Sequence, residues 1–369
     1  MEWWNSWVAK SRDAPLERQR GRPRAKCQGP RAKDAATKMT SSAGPLARYT
    51  TSLSPDSARR FPLDQGFPPI DADLLRIPVG PGAIHVERYG HGGAPVVLIH
   101  GFGTCAFLWR NVAPALAVTQ HTAYAVDLLG YGESDRPFDA DFGLAAQSDY
   151  LERTLTALRV ARAALVGVDI GAAIALRLAA TRPERVARLV LINPVAFDEV
   201  PGGDIRALQR NTARFALRVS RGLFGASALL APLLTSSVAD PSRMPPFLVG
   251  RYLAPFVGQE GVTHLLALAR AVREIDLDDV DLTQVRAHTL IVRGDKDGWV
   301  SAGVAQRLSS EVPEGRVVTM PDAARLVPED APDELADMIA AFVSPQMGAG
   351  SDEVGETIDE SGTTEGELA

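Results

Sequence analysis

Between a short β-rich run, Ala163–Val166, and an alanine-rich helical run, Ala172–Ala180, lies the turn Gly167-Val168-Asp169-Ile170-Gly171. A strand that passes this abruptly into a helix brings its flanking backbones into close approach. Only small residues two places before and after the central one permit that approach. The central side chain is held in strained geometry and projects above the sheet edge. Most such turns carry serine there; this one carries Asp169. The plainer structural reading of the same residue is a cap for the helix that begins at Ile170.

The rest of the chain repeats the strand-helix rhythm. Ile84–Tyr89, Pro95–His100, Thr122–Asp127, Arg188–Asn193 and His288–Arg293 are short and rich in Val, Ile, Leu or Ala. They alternate with amphipathic stretches at Phe107–Leu116, Leu144–Leu158, Ala302–Ser310 and Pro332–Phe342. Near-continuous apolar strands belong to sheets covered on both faces, and the alternation predicts an α/β fold with a doubly wound, mostly parallel sheet. The rhythm breaks between Val195 and about Asp281, where a Leu/Ala/Arg-rich segment is punctuated by Pro201, Pro232, Pro241, Pro245, Pro246 and Pro255. That segment reads as a helical lid inserted between strands, over the carboxyl edge where open α/β sheets bind ligands. The predicted organisation is a basic leader over residues 1–68, core over 69–195 and 282–346, lid over 196–281 and an acidic tail over 347–369.

Charge and cysteine usage exclude several classes. The net charge of -6 conceals a basic Met1–Lys38 and an acidic Ser351–Ala369 without a basic residue. A short, proline-broken basic run without helical period is a solvated tail rather than a nucleic-acid or lipid site. Met39, followed by Thr-Ser-Ser, is a second candidate start. Cys27 and Cys105 lie far apart, so no disulfide framework or metal cluster is implied. No metal, cofactor, nucleic-acid or membrane partner is expected, only a small-molecule substrate or ligand, and oligomeric state is not legible. A reducing cytoplasm is the default location. No run reaches the ~18 apolar residues that span a bilayer, and no signal-peptide core is present.

Two further motifs complete the pattern. His100-Gly101-Phe102-Gly103 ends one strand and opens a loop, and Asp127-Leu128-Leu129-Gly130-Tyr131-Gly132-Glu133-Ser134-Asp135 does the same for the next. Together with the Asp169 turn, the segments His100–Asn111, Asp127–Pro137 and Val166–Pro183 resemble the haloalkane dehalogenase, fluoroacetate dehalogenase and epoxide hydrolase branch of the α/β-hydrolase superfamily. The resemblance covers roughly Ala83–Val343. It implies the α/β-hydrolase fold, with Asp169 as a nucleophile that forms a covalent alkyl-enzyme ester. Phe102 and Ile170 would supply the backbone N–H groups of the oxyanion hole. His100 is expected beneath the loop as a structural residue, and Cys105 as a packed one. The acid of the triad falls on Asp297, within Gly294-Asp295-Lys296-Asp297, in preference to Asp295. The other acid position used in the branch is Asn193, which has no charge. His100, Gly101, Trp109, Tyr252 and His264 are the remaining candidates for the substrate pocket.

The resemblance fails at the base. The branch places its histidine in a P-x-A-G-H-F stretch after the last strand, and here that register reads Pro321-Asp322-Ala323-Ala324-Arg325-Leu326. Arg325 therefore stands at the histidine position, and no histidine follows His288. Arginine stays protonated and cannot act as a general base. It is expected to pair with Asp297 and to reach Asp169, leaving an alkyl ester with no base to cleave it. An Arg325→His change would supply that base. His264 is the one other histidine placed where it could serve. Specificity markers differ too: Ile170 follows the nucleophile where dehalogenases have Trp or Arg. Phe102 follows His-Gly where many have a halide-binding Asn, and Tyr252 is the single lid tyrosine. Three readings stay open: a hydrolase of small, mostly apolar esters, epoxides or halides; a ligand-binding pseudoenzyme; and a lyase, isomerase or cyclase in which Asp169 carries a proton.

The two tails offer little apolar surface to offset the entropy of ordering them. Deleting Met1–Lys38 should leave the melting temperature almost unchanged in a thermal-shift experiment; a fall of many degrees would show the leader to be part of the folded domain.

Overall fold

Val, Ile, Leu and Ala fill the strands of a single eight-stranded sheet. The computed structural model describes residues 72–210 and 227–344. The basic leader, the acidic tail and residues 211–226 of the expected lid lie outside the described residues. The strands are β1 Asp73–Pro78, β2 Ala83–Tyr89, β3 Pro95–Ile99, β4 Thr122–Val126, β5 Ala163–Val168, β6 Val186–Ile192, β7 His288–Gly294 and β8 Gly315–Met320. Their order is β1-β2-β4-β3-β5-β6-β7-β8. The β1–β2 and β2–β4 pairs are antiparallel, and every pair from β4 through β8 is parallel. Every residue of β4 and β5 is buried, as a strand covered on both faces requires.

The covering helices are α1 Val112–Val118, α2 Leu144–Ala157, α3 Ile170–Thr181, α8 Ala302–Glu311 and α10 Pro332–Val343. In α3, ten of twelve residues are buried, because α3 is packed by α2 on one side and by β5 and β6 on another. Between β6 and β7 lie α4 Gly203–Gln209, α5 Ser227–Thr235, α6 Pro246–Leu253 and α7 Gly258–Ala271, with no strand among the described residues of that segment. The short α9, Val327–Asp330, precedes α10.

The structure adds two edge strands and corrects one predicted helix. The edge strands β1 and β8 carry mostly exposed or half-buried residues and so lack the apolar run that marks the inner strands. The predicted helix Phe107–Leu116 is instead a 3-10 turn, Ala106–Trp109, followed by α1. The break leaves the Arg110 side chain at the end of the turn, where it is used below.

Asp127, at the carboxyl end of β4, fixes the loops around the sheet's carboxyl edge. Its carboxylate accepts the N–H groups of Ala106 at 2.6 Å and Glu133 at 2.8 Å, and lies 3.0 Å from His85 Nδ1. Burial alone would depress the His85 pKa, but the Asp127 hydrogen bond and charge outweigh it and raise it. Burial pushes Asp127 up, while His85, His100 and the Ala106 N–H pull it below the ordinary carboxylate range. The signs define a window. The Asp127 contribution is present above the unfolded carboxylate value and is lost as pH falls through its depressed pKa. The His85 contribution is full below about pH 6.5 and is lost as pH rises through its raised pKa. Asp127→Asn should therefore cost about 3 kcal/mol in urea denaturation at pH 6, and distinctly less at pH 9. An equal loss at both pH values would mean that His85 is neutral throughout.

Candidate active site

The elbow is built by close backbone contacts. Asp169 follows β5 with φ 56° and ψ −117°, and its N–H donates to the Ile192 carbonyl at 3.0 Å. A Cβ on Gly167 would lie 2.3 Å from the Gly171 carbonyl oxygen, and one on Gly171 would lie 2.4 Å from that of His100. Neither position tolerates a side chain, which is why both are glycine. The Asp169 side chain makes no cap hydrogen bond to α3, so the capping reading fails.

The carboxylate instead faces the loop after β3 and the loop after β8. Asp169 is 1% exposed. Its Oδ2 accepts the Phe102 N–H at 2.9 Å and a hydrogen bond from Arg325 Nη2. Arg325 Nη1 donates at 2.7 Å to Oδ2 of Asp204, a buried residue in the first turn of α4. One guanidinium thus bridges two buried carboxylates. Both Oδ1 atoms, of Asp169 and of Asp204, are buried and accept no hydrogen bond among the described residues. A Cβ on Gly101 would lie 3.1 Å from Asp169 Oδ2, so the glycine after His100 is what lets the Phe102 N–H approach. Burial raises the Asp169 pKa, the Arg325 charge opposes that rise and the Asp204 charge adds to it. For Arg325 burial works against the charge, but the two carboxylates outweigh it and keep the guanidinium protonated.

Asp297 is held elsewhere. The expected Asp297–Arg325 pair is replaced by Arg293, whose Nη1 lies 3.3 Å from Asp297 Oδ2, and by the Trp299 N–H at 2.8 Å from Oδ1. The reason is local. Arg293 sits four residues before Asp297, at the end of β7, and reaches it first, whereas Arg325 is taken by Asp169 and Asp204. Burial raises the Asp297 pKa against the pull of the Trp299 N–H and the charges of Arg293 and Arg325. Asn193 is an amide for a stated reason. Its Nδ2 donates to the carbonyls of Ala324 and Arg325 at 2.9 and 3.1 Å, while its Oδ1 accepts the Gly294 N–H at 3.0 Å. A carboxylate could not do both, and Asn193 thereby ties the loop carrying Arg325 to β6 and β7.

The two histidines named from the sequence are each tied to backbone groups away from Asp169. His100 Nε2 accepts the Leu128 N–H at 3.0 Å, so its proton is on Nδ1, which donates to the Gly101 carbonyl at 2.8 Å. Burial lowers its pKa and keeps it neutral. His264 Nε2 lies 2.7 Å from the Gly130 carbonyl and its ring meets the Phe142 edge, so it is fixed to the loop after β4. Burial pushes the Cys105 thiol up, leaving it unreactive.

None of the five pocket residues named from the sequence, His100, Gly101, Trp109, Tyr252 and His264, lines the cavity beside Arg325. Phe102, Asp204 and Arg325 line a cavity of about 30 Å³ with Leu208, Phe256 and Leu326. That exceeds the ~10–15 Å³ needed for one water. Trp109 is fully buried in the core. Tyr252 donates to Glu329, which receives both Nη atoms of Arg110 at 2.6 and 2.7 Å. Asp330, next in the chain, accepts the Ala239 and Ala324 N–H groups at 2.9 and 2.8 Å. Glu329 and Asp330 therefore fasten the helices between β6 and β7 to the loop that carries Arg325. The sequence reading missed Asp204 and this latch. Asp204 follows Pro201-Gly202-Gly203, a run with no strand or helix period, and nothing in it signals that one acid would turn inward.

With the geometry in hand, the relatives agree on the fold. The alpha/beta hydrolase fold family model matches residues 94–332. Lipase 1 of Psychrobacter immobilis is 29% identical over 288 residues, spanning 74% of this chain and 84% of that protein. A haloalkane dehalogenase of Mesorhizobium japonicum is 25% identical over 288 residues, spanning 73% and 90%. Among solved structures, an alpha/beta hydrolase fold protein from Burkholderia ambifaria is 27% identical with a TM-score of 0.64, covering 72% of this chain and 96% of that one. The relatives are named for different reactions, and what they share is the architecture that presents the elbow. This chain belongs to the alpha/beta hydrolase fold family.

Proposed function

We propose that the protein is a hydrolase-type enzyme that attacks a small, mostly apolar electrophile with Asp169, beneath a lid formed by the helices between β6 and β7. The observation that carries this reading is the division of labour within one carboxylate. Asp169 Oδ2 is bound by the Phe102 N–H and by Arg325, while Oδ1 is buried and unpartnered. Oδ1 attacks the substrate carbon as its leaving group departs, a halide or the oxygen of an opening epoxide. Oδ2 becomes the carbonyl oxygen of the resulting ester, already in contact with two donors. Apolar walls such as Leu208, Phe256 and Leu326 favour an apolar substrate, and the cavity's size favours a small one. The kinship with a haloalkane dehalogenase supports the same reading. Arg325 bound to both carboxylates favours a second one, a ligand-binding protein without turnover.

Two outcomes are expected. Rapid acid quench after incubation with a panel of haloalkanes and epoxides should yield, by intact mass and peptide mapping, an adduct on Asp169 that is absent from Asp169→Asn. Labelling of both proteins alike, or of neither, rejects the nucleophile and leaves the ligand-binding reading. Attack needs the ionised carboxylate, and the Asp169 pKa is raised by burial. The alkylation rate should therefore keep climbing with pH above the ordinary carboxylate value of about 4, where an exposed aspartate would already have levelled off.

Separately, Arg325→Leu leaves Asp169 and Asp204 buried and unpaired. It should cost about 3–5 kcal/mol in chemical denaturation at pH 8 and less at pH 5, since protonating either acid relieves the repulsion. A neutral effect at pH 8 would show that the bridge is not formed in solution.

A further inference from the structure

We infer that Asp204 is the general base that cleaves the Asp169 ester, standing in for the histidine whose position Arg325 occupies. The inference rests on Asp169 being the nucleophile. Arg325 holds each acid by its Oδ2, which leaves Asp169 Oδ1 and Asp204 Oδ1 both buried and both free of hydrogen bonds among the described residues. The two oxygens lie close to one point beside Gly202. A Cβ on Gly202 would lie 3.2 Å from Asp204 Oδ1, 3.3 Å from Val195 Cγ1 and 3.7 Å from Asp169 Oδ1, so a side chain here would crowd both oxygens and glycine leaves them unobstructed. Asp204 also lines the cavity beside Arg325 and Phe102. Among the described residues, no histidine lines this cavity. Both nitrogens of His100 and Nε2 of His264 are engaged by backbone groups. Both oxygens of Asp297 are taken by Arg293 and the Trp299 N–H.

The step balances. A water beside Gly202 gives one proton to Asp204 Oδ1 as its oxygen bonds to Asp169 Cγ, and the carbonyl electron pair moves onto Oδ2. The Phe102 N–H and Arg325 Nη2, already on that atom, hold the oxyanion. Collapse breaks the Cγ–Oδ1 bond, and the departing alkoxide takes the proton back from Asp204 to leave as an alcohol. The remaining proton of the water is on the new Asp169 carboxyl, which loses it to solvent. Net, ester and water give carboxylate, alcohol and a proton. Arg325 is then no failed histidine. It has become part of the oxyanion hole, and the proton transfer has moved to an acid on the other end of its guanidinium.

The test follows the adduct defined above in full-length protein. With any halide or epoxide that labels Asp169, the wild type should turn over, and a single turnover in H₂¹⁸O should place ¹⁸O in the Asp169 carboxylate. Asp204→Asn should still form the adduct, which also reports that its site is folded. It should cleave the adduct at least ~100-fold more slowly, the scale of a lost positioned base. Asp204→Glu, which keeps the carboxylate but displaces it, should recover part of the cleavage, and it takes the place of Asp204→Asn if that variant does not fold. A stable adduct in the wild type, or equal cleavage by wild type and Asp204→Asn, overturns Asp204 while leaving Asp169 as nucleophile. Absence of any adduct in wild type and variants alike removes the nucleophile itself, and Asp204's role with it.

Discussion

One guanidinium is shared between two buried carboxylates at the carboxyl edge of the sheet, and the surrounding loops are arranged around that imbalance. Moving each ion out of water costs several kcal/mol, so the charges persist only with close partners and good geometry. Arg325 supplies that to Asp169 and Asp204 through opposite ends of its fork, at 2.7 Å for Asp204. Three distant pieces of chain are tied at this point: the elbow after β5, the first turn of α4, and the loop after β8. With one positive and two negative groups, the site carries a net negative charge whenever both acids are ionised. That residual charge, together with burial, is why the Asp169 pKa is raised despite its arginine partner.

The bridge depends on supports that are themselves polar and buried. Asn193 fixes the Ala324 and Arg325 carbonyls, and Asp330 fixes the Ala324 N–H, so the backbone leading into Arg325 is held from two sides. Glu329 does the same for the helical segment above, through Arg110 and Tyr252. Tyr252 illustrates the consequence. A lone tyrosine in that segment invites a role in polarising substrate, yet its hydroxyl is committed to Glu329 and its ring packs against Phe107. Its work is to hold one layer onto the other.

The sheet and the elbow were legible because their causes are local. The glycines at 167 and 171 are dictated by carbonyl oxygens within 2.4 Å of where a Cβ would stand, and continuous apolar runs report strands buried on both faces. The edge strands were not legible, because exposure removes the apolar signal. Within the site, the backbone contact of Phe102 and the placing of Arg325 near Asp169 followed from the motif register. Two things did not. Asp297 was expected on Arg325, but Arg293, four residues earlier in the same strand-loop unit, captures it. Asp204 was invisible because its importance comes from a contact 121 residues away in the chain, and nothing in the surrounding Pro-Gly-Gly run marks it. Long-range charge pairing has no period, so a single sequence does not display it.

The exchange of histidine for arginine also changes what the site can sense. An imidazole titrates near pH 6.5 and switches between base and cation across the neutral range. Arginine does not titrate there, and here its two carboxylates hold it still more firmly in the charged form. Every proton the site gains or loses near neutrality must then come from the acids. Burial and the like-charged Asp204 push Asp169 upward, while Arg325 and the Phe102 N–H pull it back. The balance is set by geometry that spans the loop after β3, the elbow after β5, α4 and the loop after β8, and Arg325 is the group that joins them.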